Sequence, residues 1–150
     1  MTSTETALAR FREGYNCSQS TLSAFAEDLG LPLDMALRVA APFGGGIGRQ
    51  GEVCGAASGA LMALGLRYGE ARGDKAAKER AYAAAAEFVR RFEERCGALR
   101  CRDLIHADMT TPEGLADARE RKVFSTECPR FLAAAVEIAE ELLKEGELAA

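Results

Sequence analysis

The sequence predicts an all-α fold: a single domain over residues 1–150, with about five to seven helices in a bundle and a glycine-rich loop ahead of a central cysteine-bearing helix. Three observations point there. Alanine is abundant while Val and Ile are scarce, which favours helix over β-branched strand packing. Apolar residues recur at helical spacing along most of the chain, and cap residues and glycines punctuate those runs. A chain of 150 residues can bury roughly two thirds of its unfolded surface, so it requires neither disulfide nor metal merely to fold.

The first helix is expected from Thr4 to Arg12, with Ala7, Leu8 and Phe11 on one face and Gly14 closing it. Asn16, with Gln19 three positions on, reads as a capping box that puts Cys17 at the first helical position. Leu22, Phe25 and Leu29 supply its apolar stripe before Gly30 stops it. Asp34 is expected to cap a shorter helix that ends ahead of Pro42. Residues 44–51, Gly-Gly-Gly-Ile-Gly-Arg-Gln-Gly, form a loop leading into a helix from about Cys54 to Tyr68. Gly55 and Gly59 leave the start of that helix almost without side-chain bulk, so another backbone or a bound group can approach.

Asp74 caps the longest helix, which runs to Cys96 and stops at Gly97, with Ala81, Ala85, Phe88 and Phe92 on its inner side. Cys101 to Ile105 reads as one or two helical turns. Thr111-Pro112 and Cys128-Pro129 then open two further helices, the last carrying Phe131, Ala135, Ile138 and Leu142 inward and ending at Gly146.

Composition excludes several functions. Nineteen Lys and Arg against 23 Asp and Glu leave a net charge of −4, so no basic footprint for nucleic acid exists. No apolar run reaches the ~18 residues of a membrane span. The opening Met1-Thr2-Ser3-Thr4-Glu5 has neither the basic start nor the apolar stretch of a secretory signal, so a cytoplasmic location and reduced thiols are expected. The five cysteines, Cys17, Cys54, Cys96, Cys101 and Cys128, are odd in number and widely spaced, which suits thiols or metal ligands better than a disulfide framework.

Cys17, Cys54, Cys101 and Cys128 each fall at a predicted helix start, where free N–H groups and the positive end of the dipole favour thiolate, the form that attacks and ligates. Cys96 falls at a helix end, where the dipole acts in the opposite sense, and its spacing from Phe92 puts it on the core side. Taken singly, each cysteine reads better as a small buried hydrophobe, and only the four coincident helix-start placements bring the two readings level.

The run Phe43 to Ala60, with Cys54-Gly55-Ala56-Ala57-Ser58-Gly59 at its heart, resembles the central motif of the C_GCAxxG_C_C family of redox-active proteins. Cys17 in Tyr15-Asn16-Cys17-Ser18-Gln19 looks like the first cysteine of that pattern, and Cys101 and Cys128 like the third and fourth. The resemblance spans roughly residues 11–143, which it implies as the core of the domain; the literal Gly-Cys-Ala of the family name reads here as Cys-Gly-Ala, and Cys96 is additional.

The resemblance implies cysteine-based redox chemistry and leaves its form open. The leading expectation is an iron–sulfur cluster or other soft metal held by Cys17, Cys54, Cys101 and Cys128 for electron transfer or redox sensing, with Gly45, Gly46, Gly55 and Gly59 giving space and N–H groups beside it. The alternative is a metal-free thiol–disulfide protein with Cys54 as attacking thiol. A structural zinc site ranks third.

Among other candidates, the arginines near Cys101 (Arg90, Arg91, Arg95, Arg100 and Arg102) read as a solvated face, with docking of an acidic redox partner protein as the functional alternative. Arg49 is the better candidate to assist a thiolate. His106 is the sole histidine and reads as an exposed side chain, and Glu52 as a helix-start carboxylate. The Ala-rich helices suit either core packing or a homo-oligomer.

Overall fold

The computed structural model describes residues 1–149. Eight helices build it: α1 (Ser3–Arg12), α2 (Cys17–Ala26), α3 (Leu33–Ala40), α4 (Gly55–Tyr68), α5 (Lys75–Cys96), α6 (Cys101–Ile105), α7 (Pro112–Glu120) and α8 (Cys128–Ala149). Their number slightly exceeds the expected range because the five-residue α6 counts as a helix of its own. Single turns occupy Glu27–Leu29, Ala41–Phe43 and Val123–Thr126. The described residues contain no strand; extended pairing is confined to one antiparallel bridge between Val53 and Arg100.

Local chemistry explains most boundaries. Thr2 caps α1 through a reciprocal box with Glu5, earlier than the expected start at Thr4. Asn16 and Gln19 form the box at α2, Asp74 accepts from Ala77 N–H at α5, and Thr111 accepts from Gly114 N–H ahead of Pro112 at α7. Gly30 and Gly97 stop their segments in the left-handed region.

Two expected boundaries are corrected. Asp34 does not cap α3: Pro32 holds that position, and the Asp34 carboxylate pairs with Arg38 one turn on. Gly146 does not end α8, which continues to Ala149. A Cβ at position 146 would run into the Tyr68 hydroxyl, so glycine there makes room for a ring that donates to Leu142 C=O at 2.5 Å. Ala150 lies outside the described residues.

α2 and α4 cross at the centre, with α1 and α3 packed on α2, and α5 and α8 packed on α4 and on each other. Small residues allow the central approach. A Cβ on Gly59 would stand 2.6 Å from Ser18 C=O, and Ala56, Ala57, Ala60 and Ala63 are all buried. α5 contributes Phe88 and Phe92, both fully buried, with ring centroids 5.8 Å apart. No described helix is long and apolar enough to cross a membrane. The helix starts of α2, α4, α6 and α8 meet at one end of this bundle.

Candidate functional site

At that end Cys17, Cys54, Cys101 and Cys128 line one cavity of about 480 Å³. They come from the starts of α2, α6 and α8 and from the N-cap of α4. Leu104, Ile105, Met109 and Phe131 supply apolar wall, and Arg49 and Arg119 stand along its edge. Cys54 and Cys101 are buried, while Cys17 and Cys128 are partly exposed.

Each sulfur is fixed by its lead-in. Asn16 caps α2 through its side-chain oxygen and donates through its amide to Ala41 C=O at 2.9 Å, while the Gln19 amide donates to Leu37 C=O at 2.8 Å. The box that starts α2 therefore also ties Cys17 to α3 and the turn after it. Cys54 and Cys101 are set by strand-like pairing: Cys54 N–H donates to Leu99 C=O at 2.9 Å, and Cys101 N–H to Glu52 C=O at 2.7 Å. Arg102 reinforces this pairing by donating from its guanidinium to the carbonyls of Gln50 at 2.7 Å and Gly51 at 3.3 Å.

The glycine-rich loop is the least ordinary backbone in the chain. Gly45, Gly46, Ile47, Gly48 and Arg49 have successive φ values of 67°, 68°, 66°, 55° and 67°, a turn of left-handed helix. For Ile47 and Arg49 this conformation costs about 1–2 kcal/mol each. Hydrogen bonds from Gly48 N–H to Pro42 C=O and from Glu52 N–H to Gly46 C=O, both 2.9 Å, hold the turn. It brings Gly45 N–H to the Cys17 sulfur, joined there by the N–H groups of Cys17, Ser18 and Ala56, while Ala57 and Ala56 N–H groups approach the Cys54 sulfur.

These donors act in the direction expected of helix starts, but burial outweighs them. Desolvation raises the Cys17 thiol, and together with the nearby Cys17 it raises Cys54 well above the usual thiol range. Burial first, and then Cys17, pushes Cys101 and Cys128 to about 12. The expectation of lowered thiol pKa values is thus overturned: burial raises all four. Cys17 is the shared neighbour that raises each of the other three.

Cys96, at the end of α5, does not line the cavity, and burial raises its thiol too. Of the glycines expected beside a bound group, Gly45 and Gly55 line the cavity, whereas Gly46 and Gly59 do not. Gly46 is taken up by packing, since a Cβ there would meet Glu52 C=O at 2.6 Å and the Cys101 Cβ at 2.7 Å. Gly59 is taken up by the crossing of α2 and α4.

Glu52 pairs with Arg100 and Arg102 and is engaged in the lead-in. Arg90, Arg91 and Arg95 are paired with Glu87, Glu94, Glu137, Glu141 and Glu145 on the exposed side of α5 and α8. His106 is exposed and ends α6 in the left-handed region. Met109, Phe131 and Arg119 line the cavity although sequence reasoning did not single them out for it: Phe131 and Arg119 carry no signal beyond ordinary helix patterning, and Met109 lies in the turn between α6 and α7, which carries none.

Among the described residues no three His, Cys, Asp or Glu side chains stand close enough together to hold a single metal ion. The site is a cavity walled by four thiols, apolar side chains and backbone N–H groups. Fold and site together define a helical protein built around a shared cysteine pocket.

The chain belongs to the family described as "Putative redox-active protein (C_GCAxxG_C_C)", whose model matches residues 15–142. That match covers most of the chain and includes all four cavity cysteines. No curated protein and no solved structure matches the chain.

Proposed function

We propose that Cys17, Cys54, Cys101 and Cys128 hold a polynuclear iron–sulfur cluster through which the protein transfers electrons or senses redox state. The observation that carries this reading is that four soft donors from four separate segments line one cavity. Bound there, a cluster would supply one-electron chemistry within a largely apolar wall.

The residues around it have definable tasks. The N–H groups of Gly45, Ser18, Ala56 and Ala57 would donate to the ligating sulfurs, a contact that tunes cluster potential. Holding such a group would require Cys17, Cys54, Cys101 and Cys128 to give up their thiol protons, against the desolvation that raises them.

One observation favours a second reading, a reversible Cys17–Cys54 disulfide. The Cys17 sulfur lies only 2.6 Å from where a Cβ on Gly55 would stand, immediately beside Cys54. Closing that bond would release two protons and two electrons to an acceptor. Buried neutral thiols are slow nucleophiles, which weighs against this form.

The test is an absorption spectrum of anaerobically purified protein, with iron, sulfide and thiol counts on the same sample. Visible charge-transfer absorption with stoichiometric iron and sulfide, lost in Cys54→Ser and retained in Cys96→Ser, supports the cluster. A colourless, metal-free protein that loses two thiols on mild oxidation replaces it with the disulfide.

A further inference from the structure

The thiol cavity continues outward into a second, wider cleft of about 820 Å³, and Phe11, Asn16, Arg119 and Phe124 wall both spaces. Arg12, Tyr15 and Lys122 border the outer part, and Arg49 borders the inner one. No Asp or Glu lines either space. Among the described residues Arg12, Arg49, Arg119 and Lys122 form no ion pair; cations such as Arg67 and Lys78 elsewhere form none either, and what distinguishes these four is that they share a concave surface with no carboxylate. In a chain of net charge −4 this is a local reversal of sign. Cations around a concave, low-dielectric wall concentrate field and draw in anions.

The wall is not only charged. Phe11 and Phe124 are partly buried, and the Tyr15 ring is 38 % exposed. Rings beside unbalanced cations match an organic anion with a flat apolar body better than inorganic phosphate, which would leave the rings unused.

We infer that this cleft binds a small organic anion, its charged group held by Arg119 and Lys122 and its apolar body lying against Phe11, Tyr15 and Phe124 toward the thiols. The inference deepens the proposed redox site by naming the class of small molecule that reaches it, and it rests on that reading only for the redox step after binding. An acidic protein segment would also meet the positive charge. The inner end of the passage, closed by Phe131, Met109 and the cysteines, favours a small occupant.

The test compares two fluorescent probes with one skeleton, 1-anilinonaphthalene-8-sulfonate and the uncharged N-phenyl-1-naphthylamine, titrated into the full chain. At low salt the sulfonate is expected to bind about tenfold more tightly than the neutral probe, a preference that shrinks in concentrated salt. Arg119→Gln combined with Lys122→Gln should bring the two affinities within about twofold by weakening only the sulfonate. Lys78→Gln, on α5 away from the cleft, should change neither.

Equal affinities in the unaltered protein, or a preference that survives the double substitution, would overturn the inference. So would displacement of the dye by hexaglutamate at lower concentration than by free naphthalene sulfonate, which would assign the cleft to an acidic protein segment. Failure of the redox reading appears instead in the iron, sulfide and thiol counts, which leave the binding comparison untouched.

Discussion

The loop from Gly44 to Cys54 and helix α5 solve opposite problems. α5 is regular from its Asp74 cap to its Gly97 stop, buries Phe88 and Phe92, and faces solvent with Glu–Arg pairs. The loop runs through left-handed backbone, is tied down by Arg102 and strand-like hydrogen bonds, and buries sulfur and N–H groups in place of rings. α5 contributes one cysteine that faces no cavity; the loop and its neighbours contribute four that share one. Backbone strain is thus concentrated where thiols from distant segments must meet, consistent with strain gathering at functional sites. The regular helix supplies the packing that tolerates it.

That division is broken most severely from the regular side. Phe92→Ala should cost about 3–5 kcal/mol, because a fully buried ring leaves a cavity between α5 and the core. Urea unfolding measures the loss. In protein that remains folded the reactivity of the cavity thiols toward a neutral reagent should be unchanged. A Phe92→Ala protein with normal stability would mean that α5 does not support the core through its buried rings.

From the loop side, Gly46→Ala should cost about 2–4 kcal/mol, combining left-handed strain with overpacking. The added methyl meets Glu52 C=O and the Cys101 Cβ, so this substitution should also alter the reactivity or metal content of the site. Gly73→Ala, where a Cβ meets nothing within 4 Å, is the matched control and should be close to neutral. Equal effects from the two substitutions would remove the claim that the loop is specifically strained.

Asn16→Ala sharpens the comparison at smaller cost, about 1–2 kcal/mol for the lost cap. Capping alone would lower stability and nothing more. Because the same side chain anchors the start of α2 to Ala41, Cys17 should also become more accessible to alkylation. Mass spectrometry of the labelled cysteines separates the two roles.

The same contrast governs how much was legible in the sequence. α5 could be bounded at both ends because Asp74 and Gly97 act locally, and the Asn16–Gln19 box could be read for the same reason. The all-α class followed from alanine content and periodicity. The bridge of Val53 to Arg100 could not be read, because it joins segments 47 positions apart through backbone atoms that leave no residue-type signature. The left-handed run was announced by its glycines only as freedom, since Ile47 and Arg49 adopt the same conformation without being glycine. The thiol pKa values were misjudged because helix dipoles can be inferred from element starts, whereas desolvation depends on what packs around the sulfur. Asp34 and Gly146 show the remaining kind of error: a residue of the right type near the right place, claimed instead by Arg38 or by Tyr68.

The smallest expected effect lies on the exposed face of α5. Arg90, and then Arg91, hydrogen-bond the Glu87 carboxylate and hold its pKa down from 4.5 to about 2. A carboxylate lowered in the folded state contributes stability that is present above its unfolded pKa and lost as pH falls through the folded value. The contribution of Glu87 should therefore be complete at neutral pH and disappear between about pH 4.5 and 2. Glu87→Gln should be slightly less stable than the unaltered chain at pH 7, and the gap should close over that acid range. Because these groups are solvent-exposed, concentrated salt should also narrow the gap at pH 7. Thermal melts at a series of pH values and salt concentrations measure both trends, and the absorption spectrum of the site should be the same in the two proteins. A gap that widens on acidification would show that Glu87 is held by something other than Arg90 and Arg91, and a changed spectrum would show that the exposed face of α5 reaches the cysteine pocket after all.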